Sequence, residues 1–133
     1  MSDASNKYEQ WLESEAARLV AMERTDTDTI RALLVLSCHS SPLARQFFAD
    51  RLDSEALLGV LLALAVDDYS GDAQMTAADW VSQFPPAMLA PHAATLAVVA
   101  ANEWDSVAFH ARQALEALEQ YQSADPLALD DVN

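Results

Sequence analysis

Glycine, cysteine and cations are the scarce components of this chain: 133 residues hold two glycines, one cysteine and seven Lys plus Arg against 21 Asp plus Glu. Each shortage excludes a class of function. Gly59 and Gly71 stand alone, so there is no Gly-rich loop to cradle a phosphate and no Gly-x-Ser-x-Gly elbow to seat a serine nucleophile. Cys38 by itself can neither close an intramolecular disulfide nor build a zinc site of repeated cysteines, and it fits a reducing compartment. The longest apolar run, 56–66, is eleven residues and is followed by Asp67 and Asp68, whereas a spanning helix needs about 20. Residues 1–7 are polar and lack the basic start and apolar run of an export signal, so the expected location is cytoplasmic, away from membranes. With a formal net charge of −14, the surface repels phosphate backbones and anionic headgroups, which argues against direct nucleic-acid binding.

What is present is helix-forming and apolar. Hydrophobic residues make up 52% of the chain, enough to separate it from an acidic disordered polyanion. The 26 Ala and 18 Leu against nine Val and one Ile favour helices over strands. The expected architecture is all-α: about seven helices stacked as antiparallel helical hairpins, in a short α-solenoid or irregular bundle. One domain fits the length, spanning 1–122, with an acidic, flexible tail at 123–133. The spacing predicts a first helix over 5–24, with Tyr8, Trp11, Leu12, Ala16, Leu19 and Val20 as its core stripe. Further helices are expected over 28–38, 42–52, 54–66, 73–84, 91–101 and 105–121. Ser41 with Pro42, then Asp72 and Asp105, are read as starts of the third, fifth and seventh. The third is expected to bury Leu43, Phe47, Phe48 and Leu52, and the almost uniformly apolar fourth to be surrounded by the others.

The three starts are spaced by 31 and 33 residues, near the period of helical repeat arrays. Ser41-Pro42-Leu43-Ala44-Arg45, continuing to Leu52, resembles the second helix of a HEAT or armadillo unit. Glu103-Trp104-Asp105-Ser106-Val107, continuing to Ala114-Leu115, is similar to the second half of a tetratricopeptide unit, without the Gly that pattern carries near Ala101. Each match covers about a dozen residues, and the resemblance implies stacked α-hairpins without naming a partner.

Motifs for chemistry are sparse. Cys38 and His39 are adjacent, but neighbours on a helix point about 100° apart, so they read as a thiol at a helix end beside an imidazole near the C-terminal dipole. His39, His92 and His110 show none of the spacings that place two metal ligands on one helical face. Asp67-Asp68-Tyr69-Ser70-Gly71-Asp72 invites a calcium reading, but with Gly71 at the sixth loop position Val66 falls at the first, where a carboxylate is required. No catalytic, metal or cofactor residue is assigned.

Charge placement says more. From residue 52 to 111 there is no Lys or Arg and there are eight acids, gathered at helix starts and loops. Asp67, Asp68, Asp72, Glu103 and Asp105 are therefore the candidates for a shared edge that attracts a basic partner. Ordinary capping explains the same acids without a partner. Trp80 and Trp104 join the candidate site, since tryptophan is enriched at binding hot spots. The expectation is a non-enzymatic interaction module with an acidic binding surface, such as a small inhibitor of the immunity-protein or antitoxin kind. A secretion chaperone or adaptor, an acidic DNA mimic, and a small metal-dependent or hydrolytic enzyme are the alternatives. Homodimerisation through the first or sixth helix also stays open.

Overall fold

The computed structural model describes residues 2–123, and the expected tail lies, from residue 124 on, outside the described residues. Within them the chain is all helix: α1 (Ser2–Ala21), α2 (Thr27–Cys38), α3 (Pro42–Ala49), α4 (Glu55–Val66), α5 (Gly71–Val81), α6 (Pro86–Leu89), α7 (Ala93–Ala100) and α8 (Asp105–Ser123), with a 3₁₀ turn at Ala90–His92. No strand occurs among the described residues.

Short oxygen-bearing side chains start the helices. Asp26, Ser41, Ser54 and Ser70 accept the backbone N–H of Thr29, Ala44, Leu57 and Ala73, respectively, each cap contributing about 1 kcal/mol. Pro42 occupies the first turn of α3 as expected. The cap of α5 is Ser70, with Asp72 inside the first turn. The last helix starts at Asp105 itself, and the Trp104 carbonyl accepts from Val107 and Ala108. The cap of α5 thus lies two residues before the expected Asp72, while α8 begins at the expected Asp105.

With so few glycines, the chain ends two helices through other residues. Glu23 and Ser40 adopt φ of 52° and 75°. At Ser40 the N–H donates to the Ser37 carbonyl and the Ser41 N–H reaches back to Leu36, each at 3.0 Å, the double bond pattern of a Schellman termination with serine where glycine is usual.

The buried apolar side chains form one continuous cluster from Leu12 in α1 to Leu118 in α8. Helix α5 packs on α2, α4 and α8; α7 packs on α8 and α4; α1 packs on α3 and α2. Small residues on α5, Ala73, Ala77 and Ala78, let its neighbours approach closely. Phe48 is fully buried between an edge-on Phe47 at 5.2 Å and a stacked Trp80 at 5.3 Å.

Four details differ from the sequence expectation. The stripe of α1 is Leu12, Ala16 and Leu19, while Tyr8 and Trp11 stack on each other in solvent, because among the described residues α1 packs mainly on α2 and α3. Leu43 is exposed, since in the short α3 only Ala44, Phe47 and Phe48 face inward. Helix α4 keeps a solvent-facing strip of small residues, Ala56, Gly59 and Ala63, so it is not enclosed on all sides. The expected sixth helix, 91–101, becomes a 3₁₀ turn followed by α7, because Pro91, lacking an N–H, breaks the α-helical bonding, and the expected turn before it forms the short α6, opened by Pro86.

Candidate functional site

The loop between α4 and α5 is held by an arginine from another helix. Arg31 of α2 grips the Asp68 carboxylate through Nε at 3.0 and 3.1 Å and through Nη2 at 2.8 Å, while its Nη1 donates to Asp28 at 2.8 Å. The Asp68 Oδ2 also accepts the Ser70 N–H at 2.9 Å. Its side chain is only 4% exposed. Hydrogen bonds from the Arg31 guanidinium hold the Asp68 carboxyl below the usual carboxylate range, and Arg31 is pushed upward by the same partner. The guanidinium carbon lies 4.5 Å from the centre of the Tyr69 ring, a cation–π contact that fixes the next residue of the loop.

A second loop, between α7 and α8, meets the first. Asn102 Oδ1 accepts the Trp104 N–H at 2.8 Å, and the indole lies flush against Gly71. A Cβ placed on Gly71 would come within 2.9 Å of Trp104 Cζ3 and closer still to Cη2, so glycine here permits the two loops to touch. Trp104 nevertheless keeps 50% of its surface in solvent. Asp72 follows Gly71 at the start of α5, and Glu103 and Asp105 flank the indole; all three, with Asp67, are exposed.

The seven candidates therefore separate. Gly71 and Trp104 bring Asp72, Glu103, Trp104 and Asp105 to one region, with Asp67 on the same loop. Asp68 is turned inward to Arg31, so its charge is already answered within the chain. Trp80 is a packing residue: it stacks on Phe48, and its Nε1 donates to Ser37 Oγ at 3.3 Å. Sequence reasoning missed Arg31, although Asp28 one turn before it marks a helical face where charges pair.

It also missed a groove. Trp11, 56% exposed, and Tyr69, 86% exposed, line an open hollow of about 580 Å³ with Leu19, Ala32, Val35 and Leu36. The signal was Trp11 itself, read as core.

The three histidines stay apart, each facing a different acid: His39 and Asp72 at 3.5 Å, His92 and Glu55 at 3.8 Å, His110 and Asp79 at 3.7 Å. The last separation is too long for a hydrogen bond and leaves the buried His110 Nδ1 without a partner among the described residues. Cys38 is half-buried and lines a small hollow with Arg45 and Asp79. No group of three or more His, Cys, Asp or Glu side chains able to hold a metal gathers among the described residues. Nor is any described helix long and apolar enough to cross a membrane.

No protein-family model matches the chain, and neither does any curated protein or solved structure.

Proposed function

We propose that this protein is a non-enzymatic interaction module that docks a basic protein on the edge made by the α4–α5 and α7–α8 loops. The observation that carries this reading is the half-exposed Trp104, seated on Gly71, with Glu103 and Asp105 its neighbours in the chain and Asp72 the neighbour of Gly71. A half-exposed amphipathic ring with acids beside it in the chain has the composition of an interface anchor with a steering field. Asp68 and Trp80 contribute by holding the loop and the core, while Asp67, Asp72, Glu103 and Asp105 meet the partner. Within this class a small inhibitor such as an immunity protein or antitoxin fits best, acting in the cytoplasm. A second reading, an adaptor or secretion chaperone, draws on the apolar groove beside Trp11.

The test is a comparison of variants in a pulldown from the native host extract. Replacing Asp67, Asp72, Glu103 and Asp105 by their amides together is expected to abolish recovery of the partner and to flatten the salt dependence of its association rate. Trp80→Phe is expected to leave recovery unchanged. Equal recovery by the fourfold variant would refute the acidic edge.

A further inference from the structure

The groove between α1, α2 and the α4–α5 loop has an apolar floor of Leu19, Ala32 and Val35 and walls of exposed aromatic side chains, Trp11 and Tyr69. Large apolar rings exposed at a concave site mark a binding surface more strongly than scattered exposed residues do. The rim carries Glu15 and Asp28, the latter 92% exposed. Arg31, the one cation among the described lining residues, is shared between Asp68 and Asp28, so the three together keep a net negative charge and the exposed Asp28 stays open to a further cation. Arg18 shares Glu15 at 2.9 Å, but an exposed pair one turn apart on a helix is weak and can be exchanged for an incoming cation.

The groove and the acidic edge are parts of one surface. Tyr69 and Ser70 line the groove, and they stand between Asp67 and Gly71 in the loop, where Gly71 supports Trp104. The Arg31 clamp on Asp68 and the ring contact with Tyr69 fix this junction in place before any partner arrives.

We propose that the groove receives one amphipathic helical segment of the basic partner. Its apolar side chains lie on Leu19, Ala32 and Val35 between Trp11 and Tyr69, and its Lys or Arg side chains lie toward Glu15, Asp28 and the acidic loops. The inference rests on the acidic-edge reading for the sign of the partner's charge and on the groove for its apolar face. Helix-in-groove docking supplies the apolar term, and the rim acids select cations. A second copy of this chain is disfavoured as occupant, because two molecules at −14 repel each other.

The test is an NMR titration of the ¹⁵N-labelled full chain with three synthetic probes of about 15 residues, long enough to form a helix on contact. The first places Leu at three- and four-residue spacing with Lys between to give a cationic amphipathic helix, the second has Glu in place of Lys, and the third is Lys alone. The Leu/Lys probe is expected to shift the amides of Ala32, Val35 and Tyr69, the Leu/Glu probe to leave them still, and the Lys probe to shift acidic residues such as Asp28, Asp72, Glu103 and Asp105 without moving Ala32 or Val35. Trp11→Ala, at an exposed position, is expected to weaken the Leu/Lys probe about tenfold. Ala32→Phe, which fills the floor, is expected to remove the groove shifts while the spectrum stays folded. Groove amides unmoved by the Leu/Lys probe, or moved equally by the Leu/Glu probe, would overturn the proposal. In the first case, loop shifts with the Lys probe would leave the acidic edge standing. Groove shifts without any loop shift would remove the edge and keep the groove.

Discussion

At Gly71 a single hydrogen in place of a methyl group decides whether two loops can meet. The Trp104 ring occupies the space a Cβ would need. Gly71→Ala must therefore push the half-exposed indole off its seat, and we expect a loss of about 0.5–1 kcal/mol in denaturant unfolding, because the displaced ring can swing into solvent. Trp104→Ala should absorb most of that penalty in the double variant, because the clashing group is gone. Additive losses in the cycle would mean that Gly71 is needed for another reason. Asp68 supplies a second prediction at this scale. Its carboxyl is held below the usual range by Arg31, so it binds its proton less readily folded than unfolded. Its stabilising contribution is complete above the ordinary carboxylate pKa of about 4 and fades as pH falls through and below that value. Asp68→Asn should lower stability at pH 7, by about 1–3 kcal/mol for the loss of charge-assisted hydrogen bonds. The same variant should show a shallower fall on acidification, measured by urea unfolding from pH 7 to 3. An unchanged acid limb would assign the pH dependence to other carboxylates.

Among the elements, α2 ends under strain that a single change can relieve. Ser40 sits at φ 75° in a Schellman termination, a conformation that costs a residue with a Cβ roughly 1 kcal/mol. Ser40→Gly is expected to raise stability by about 0.5 kcal/mol, the relief being offset in part by the freer unfolded chain and by loss of the 3.3 Å bond from Arg45 to the serine hydroxyl. Thermal melts of the two proteins check this, and a lower melting temperature for the glycine variant would show that the hydroxyl outweighs the backbone. The helices themselves were legible from Ala and Leu content, and the starts at Ser41–Pro42 and Ser54 were legible because cap chemistry is local. The start of α5 was not, because Ser70 and Asp72 are both good caps two residues apart and only the observed bond to the Ala73 N–H decides between them. Trp11 was misread for a related reason. Its spacing fits the stripe of Leu12 and Ala16, but which flank of α1 stays uncovered depends on where α2 and α3 come to rest. The acids of the candidate site were readable as a set, yet their division into a clamped Asp68 and exposed neighbours required Arg31, 37 positions away in the chain.

Across the whole molecule, −14 is distributed unevenly. Residues 52–111 have no cation of their own, and Arg31 reaches into that region to neutralise Asp68. The exposed acids that remain repel one another over distances that salt screens, the Debye length falling from about 30 Å at 0.01 M to about 10 Å at 0.1 M. We therefore expect the melting temperature at pH 7 to rise by several degrees over that range in scanning calorimetry, and Asp67→Asn with Asp72→Asn to reduce the rise. A melting temperature that falls with salt would instead mean that attractive pairs such as Arg31–Asp68 dominate the molecule's electrostatics. The three tryptophans stand in three separate settings: Trp80 against Phe48, Trp11 on the groove wall and Trp104 on the loop edge. Each indole emits according to its own contact with water, so variants retaining one tryptophan apiece would carry a built-in optical gauge. One would report the integrity of the interior, and the other two would show which part of the surface a ligand covers first.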